Sequence, residues 1–135
     1  DDAALVELVA LASASQDDAA VIAALWALGR GFDGPFARGT IRGALAHASE
    51  DVRAGAARVL AEVGVRPEEV APLVALAQAE GAPRARLAAL VALVGVELAP
   101  EHVEALVVLH AGLEDDWSRS ALLAALASRS TPALW

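Results

Sequence analysis

Cysteine, lysine, tyrosine, methionine and asparagine do not occur in this 135-residue sequence. Without Cys there is no disulfide framework, Cys-ligated zinc, thiolate nucleophile or c-type haem attachment. Without Lys and Tyr there is no P-loop lysine, Schiff base or tyrosine acid. Long apolar runs are missing as well. The longest uncharged stretches, Ala19 to Gly29 and Leu87 to Val96, fall well short of the roughly 18 residues that a membrane-spanning helix needs. No basic leader opens the chain and no Met starts it, so Asp1 reads as the start of a mature or excised piece of a longer protein. The compartment stays open.

What is present suits one folded domain over residues 1–135. Hydrophobic residues make up 57% and charged residues 21%, enough to build a core and too apolar for a disordered tail. The net charge of −8 is uneven: residues 1–29 hold five acids and no Arg, residues 30–96 hold seven acids and eight Arg, and residues 97–135 hold six acids and two Arg. Most of this surface repels a polyanion, which speaks against nucleic acid as a partner.

One phrase recurs. Glu50-Asp51-Val52-Arg53-Ala54-Gly55-Ala56-Ala57-Arg58-Val59-Leu60-Ala61-Glu62-Val63-Gly64 has an echo ending at Gly95, 31 residues on, and another ending at Gly29, 35 residues back; the segment Asp115 to Leu126 repeats its opening. Val52, Ala56, Val59, Leu60 and Val63 form one stripe of a 3.6-residue helix, as do Pro83, Leu87, Leu90, Val91 and Val94. Asp51 suits a cap, Pro83 a first turn, and Gly64 and Gly95 left-handed stops. A second helical phrase precedes each of these: Ala3 to Leu11, Phe36 to His47 with Phe36, Ile41, Ala44 and Leu45 apolar, Pro67 to Ala77, and Pro100 to His110. The expectation is four helix pairs, roughly 3–29, 36–64, 67–95 and 100–128, which bury their stripes only by stacking. The closing Thr131-Pro132-Ala133-Leu134-Trp135 reads as the start of another first helix.

On Asp51-Val52-Arg53, Ala56-Ala57, Leu60 and Gly64, the chain resembles the HEAT-repeat family, especially the short alanine-rich repeats of bacterial proteins and phycobilisome lyases. The resemblance covers nearly the whole chain and implies an all-α, right-handed solenoid. It also implies an Asp–Arg ladder between successive repeats, interrupted here because Ala82 replaces the acid in the third copy and the first lacks the Arg. Tetratricopeptide and ankyrin patterns fit less well, lacking a Tyr and an internal Thr-Pro-Leu-His cue.

Candidate chemistry is sparse. Gly29-Arg30-Gly31-Phe32-Asp33-Gly34 is a literal GxGxxG, but it follows a helical stripe rather than a strand, so it reads as a connection with Phe32 and Phe36 tucked under the stack. Arg30, Arg38 and Arg42 gather nearby and form a candidate anion site, the alternatives being solvation or pairing with Asp33 and Glu62. His102 and His110 are too far apart along a helix to share a metal, and His47 stands alone. Asp17-Asp18 and Glu114-Asp115-Asp116 lack calcium-loop spacing and read as caps. Ser49, His47 and Asp51 make no triad. Trp26, Trp117 and Trp135 are read as packing residues, the alternative being contact anchors, with Trp26 partly exposed. No metal, cofactor or catalytic residue is expected.

The resulting expectation is a non-catalytic protein-binding or scaffolding module, its second helices lining a curved face with Arg58, Glu62, Arg86 and Ala89 as contacts. The partner is another protein or a neighbouring domain of the same chain. The alternatives are an enzyme on a similar scaffold, like HEAT-like DNA glycosylases or phycobilin lyases, and a spacer within a larger secreted bacterial protein. Asp116-Trp117-Ser118-Arg119 resembles HEAT-like segments of such secreted proteins.

Overall fold

A computed structural model of the protein describes residues 2–127. These residues contain eight helices and no strand: α1 Asp2–Ala14, α2 Asp18–Gly31, α3 Pro35–Ala44, α4 Glu50–Val63, α5 Pro67–Gln78, α6 Pro83–Ala92, α7 Pro100–Gly112 and α8 Asp116–Ala127. Four of them start on Pro at the first position, where a missing N–H costs nothing. Asp17 caps α2 by accepting from the Ala19 N–H at 3.0 Å. At α4 the cap is Ser49, whose hydroxyl accepts from the Val52 N–H, and not Asp51, which lies in the first turn. Gly64, Gly81 and Gly95 alone among the described residues have positive φ. No described helix is long and apolar enough to cross a membrane.

Each first helix packs on the second helix of its pair, and successive pairs stack into an α-solenoid. The second helices α2, α4, α6 and α8 form one continuous row, packed more closely than the row of first helices. Their buried residues are mostly small: Ala54, Gly55, Ala56 and Ala57 in α4, and Ala85, Ala88, Ala89 and Ala92 in α6. Small side chains let helix axes approach, and Leu25, Leu28, Leu60, Leu90, Leu93 and Leu122 fill the remaining space, all fully buried.

The register of this row differs from the one that the glycines suggest. Val52, Gly55, Ala56 and Val59 of α4 correspond in burial to Val21, Ala24, Leu25 and Leu28 of α2, an offset of 31 rather than 35. They correspond to Ala85, Ala88, Ala89 and Ala92 of α6 at 33 rather than 31. The first helical hydrogen bonds, Arg53 N–H to Ser49, Arg86 N–H to Ala82 and Arg119 N–H to Asp115, keep the same 33-residue step. Glycine marks where a helix stops, and these helices differ in length. α6 has 10 residues against 14 in α4, so Gly95 arrives early. Hence Pro83, Val91 and Val94 are exposed instead of forming a core stripe.

Gly29 is not a stop at all, because α2 continues to Gly31. A Cβ at Gly29 would lie 2.5 Å from Cγ1 of the buried Val59, so α2 and α4 touch there only because glycine has no side chain. Phe32 packs against the core, whereas Phe36 is 65% exposed. Trp117 is 78% exposed, contrary to the packing role expected of it, because its offset places it level with the exposed Asp51 and Arg84. Trp135 and the segment from Thr131 lie outside the described residues.

Gly29→Ala is therefore expected to lower stability in urea denaturation by on the order of 1–2 kcal/mol, overpacking outweighing the gain in helix propensity. Gly31→Ala, where a Cβ meets nothing within 4 Å, should lose nothing.

Candidate functional site

The exposed side of the second-helix row carries a shallow groove of about 200 Å³ between α4 and α6, lined by Arg58, Ala61, Arg84, Leu87 and Val91. Val91 is exposed on α6 and Val94 in the turn after it, and Arg58 is exposed on α4 with no carboxylate partner among the described residues. Arg58 and Val91 occupy equivalent positions one repeat apart, so a cation and an aliphatic side chain stand level on adjacent helices.

The residues expected to share this face separate into two environments. Arg58 and Glu62 are exposed, Glu62 accepting from Arg30 at 3.0 Å. Arg86 is only 19% exposed, with Nη1 at 4.0 Å from Asp115 and its Nε buried without a hydrogen-bond partner. Ala89 is fully buried between α6 and its neighbours, so it offers nothing to a partner. The two-residue change of register accounts for Ala89, which matches the buried Ala56 at an offset of 33 and not the exposed Arg58 at 31; Arg86 is drawn toward Asp115 on the next second helix. Arg84, Leu87 and Val91 line the groove in their place.

The expected anion cluster does not form. Arg30 lies over Trp26, 4.6 Å from the ring centroid, and pairs with Glu62, in line with one of the alternatives. Arg38 is buried: Nε donates to Glu69 at 2.9 Å, and Nη2 donates to Glu69 at 2.6 Å and to the Gly64 carbonyl at 2.7 Å. Glu69 also accepts from the Arg66 N–H at 2.8 Å, capping α5. One ion pair thus binds α3, α5 and the turn between α4 and α5. Asp33 is held by Arg66 rather than by any of the three. Arg42 alone is left without a carboxylate partner among the described residues. The signal for the Arg38–Glu69 pair is weak in sequence, because Glu69 sits in an ordinary acidic first turn and its partner is 31 residues away.

A polar spine runs along the starts of the second helices. The Ser49 hydroxyl donates to Asp18 at 2.6 Å, Arg84 donates to Asp51 at 2.6 Å and to Glu50 at 3.2 Å, and Arg86 approaches Asp115. Glu50 also accepts from the Arg84 and Ala85 N–H groups at 2.9 and 3.3 Å, so it caps α6 from the neighbouring helix, where Ala82 cannot. The interrupted ladder is therefore bridged by different residues. Desolvation pushes the Glu50 carboxyl up, but these N–H groups and the Arg84 guanidinium together outweigh it and hold it below its usual range. The Ser118 N–H likewise lowers Asp115.

A larger groove of about 800 Å³ follows the turns after α4 and α6. Turn backbone and aliphatic residues line it, with Glu97 the only charged side chain among its lining residues. No cluster of three metal-ligating side chains occurs among the described residues. The GxGxxG glycines 29 and 31 lie inside α2, leaving no phosphate loop there.

A family model for HEAT repeats matches residues 5–94. The chain belongs to the HEAT-repeat family. No curated protein matches the chain. HEAT repeats generally act as protein-interaction scaffolds and are typically non-enzymatic.

Glu69→Ala is expected to cost about 3–5 kcal/mol in chemical denaturation, because it leaves the Arg38 charge buried and unpaired. Replacing both partners, as Arg38→Met with Glu69→Leu, should recover most of that loss. Equal losses in the single and double variants would mean that the pair is not the buried contact described.

Proposed function

We propose that this HEAT-repeat chain is a non-catalytic protein-binding module and that its second-helix row is the contact surface. Closer packing in that row favours curvature toward it, and solenoids seat their partners on such broad concave faces. The observation that carries the reading is Arg58. In a chain of net charge −8, it stands exposed and unpaired among the described residues, beside the exposed Val91 and the half-buried Leu87. A cation next to an open apolar patch suits a segment bearing an acidic residue close to an aliphatic one. That segment belongs to a partner protein or to an adjoining part of the same polypeptide.

The test is selection of displayed peptides on the wild-type protein, with affinities then measured on Arg58→Glu and Val91→Asp. Selected peptides should pair an acid with an aliphatic residue, and each substitution should weaken them at least tenfold with melting temperature unchanged. Peptides that bind both variants as well as wild type would place the contact surface elsewhere.

A further inference from the structure

A third groove, of about 330 Å³, lies on another part of the molecule, between the C-terminal end of α3 and the face of α5. Its apolar lining includes Leu45, Leu76 and Pro72, with the first two buried. Its polar lining is Arg42, His47 and Arg53, and no acidic side chain takes part. The size is at the lower end of what small-molecule sites occupy.

Each polar group is held with donor capacity to spare. Arg53, in the first turn of α4, donates through Nη1 to the carbonyls of His47 at 2.7 Å and Ala48 at 3.0 Å, which fixes its guanidinium against the turn. Its other guanidinium nitrogens have no hydrogen-bond partner among the described residues. His47 Nδ1 accepts from the Ser49 N–H at 3.0 Å, so the neutral ring carries its proton on Nε2 and remains a donor. Arg42 stands in the last turn of α3 without a carboxylate partner among the described residues. Five other arginines, 30, 38, 66, 84 and 86, have carboxylates close by. In a chain with eight more acids than arginines, two arginines sharing one groove and facing no acid mark a locally positive, partly desolvated concavity.

We propose that this groove binds a small organic carboxylate, its anionic head between Arg42, Arg53 and His47 and its apolar body against Leu45, Pro72 and Leu76. The arginine fork matches the two oxygens of a carboxylate, and the apolar walls favour an aliphatic or aromatic body over a bare inorganic anion. The site shares no lining residue with the Arg58 groove, so it stands independently of the protein-binding reading.

The test is titration of the isotope-labelled protein with phenylacetate and hexanoate, followed by amide chemical shifts, with inorganic phosphate as a parallel arm. Saturable shifts are expected at Ala46, His47, Ala75 and Ala79. Arg42→Ala should weaken binding at least tenfold, Ala75→Glu should abolish it, and Arg119→Ala should leave it unchanged, all three retaining the helical circular dichroism of wild type. Arg42 is the variant of choice because Arg53 also supports the turn. Absence of saturable shifts, phosphate binding as tightly as the organic acids, or wild-type affinity in the Arg42→Ala protein would each overturn the proposal.

Discussion

The close approach of the second helices is the constraint on which the rest of this structure depends. α2, α4, α6 and α8 meet through Ala and Gly, with Gly29 against Val59 and Gly55 against Ile22. Small interface residues bury little area each, so stability is distributed along the row and every pair relies on its neighbours. The same tightness fixes the register. A helix slid by two residues would bring Arg86 or Leu87 where Ala85 or Ala88 now fits, and a close-packed interface does not absorb such volumes.

Polar groups are arranged around that row rather than within it. The starts of successive second helices are tied by Asp18 with Ser49, Glu50 and Asp51 with Arg84, and Asp115 with Arg86. Exposed links of this kind contribute little singly. Their value lies in satisfying helix starts that lack caps of their own, as Glu50 does for α6. The Arg38–Glu69 pair is different in kind. It is buried, bidentate and further satisfied by the Arg66 N–H and the Gly64 carbonyl, so both charges are matched where water is excluded.

Local signals in the sequence were enough for the helices and their pairing, and non-local ones were not. Proline at 35, 67, 83 and 100 and the acids at 17 and 115 mark helix starts through interactions spanning three residues or fewer. Matching glycines suggested the repeat but gave its spacing incorrectly, because Gly29 serves packing while Gly64 and Gly95 serve termination at helices of unequal length. That error carried into the candidate surface, where Ala89 turns inward and Val91 outward, while Arg86 and Leu87 are both half-buried. Arg38 could not be assigned from its own helix, since its partner Glu69 lies on α5. The separation of the arginines into paired and unpaired sets is a property of the stack and not of any one segment.

The central claim is the registered contact of α2 with α4, and the chain's freedom from cysteine allows it to be probed by engineered cross-links. A Cβ at Gly55 stands 3.1 Å from Cγ1 of Ile22, so side chains at the two positions touch directly, as a cross-link requires. The account predicts that an Ile22→Cys/Gly55→Cys protein loses both free thiols within the monomer under mild oxidation while its helical circular dichroism is unchanged. An Ile22→Cys/Ala57→Cys protein should keep its thiols. Bridging in the second protein and not in the first would contradict the register on which the stack, its ion pairs and its exposed faces have been built.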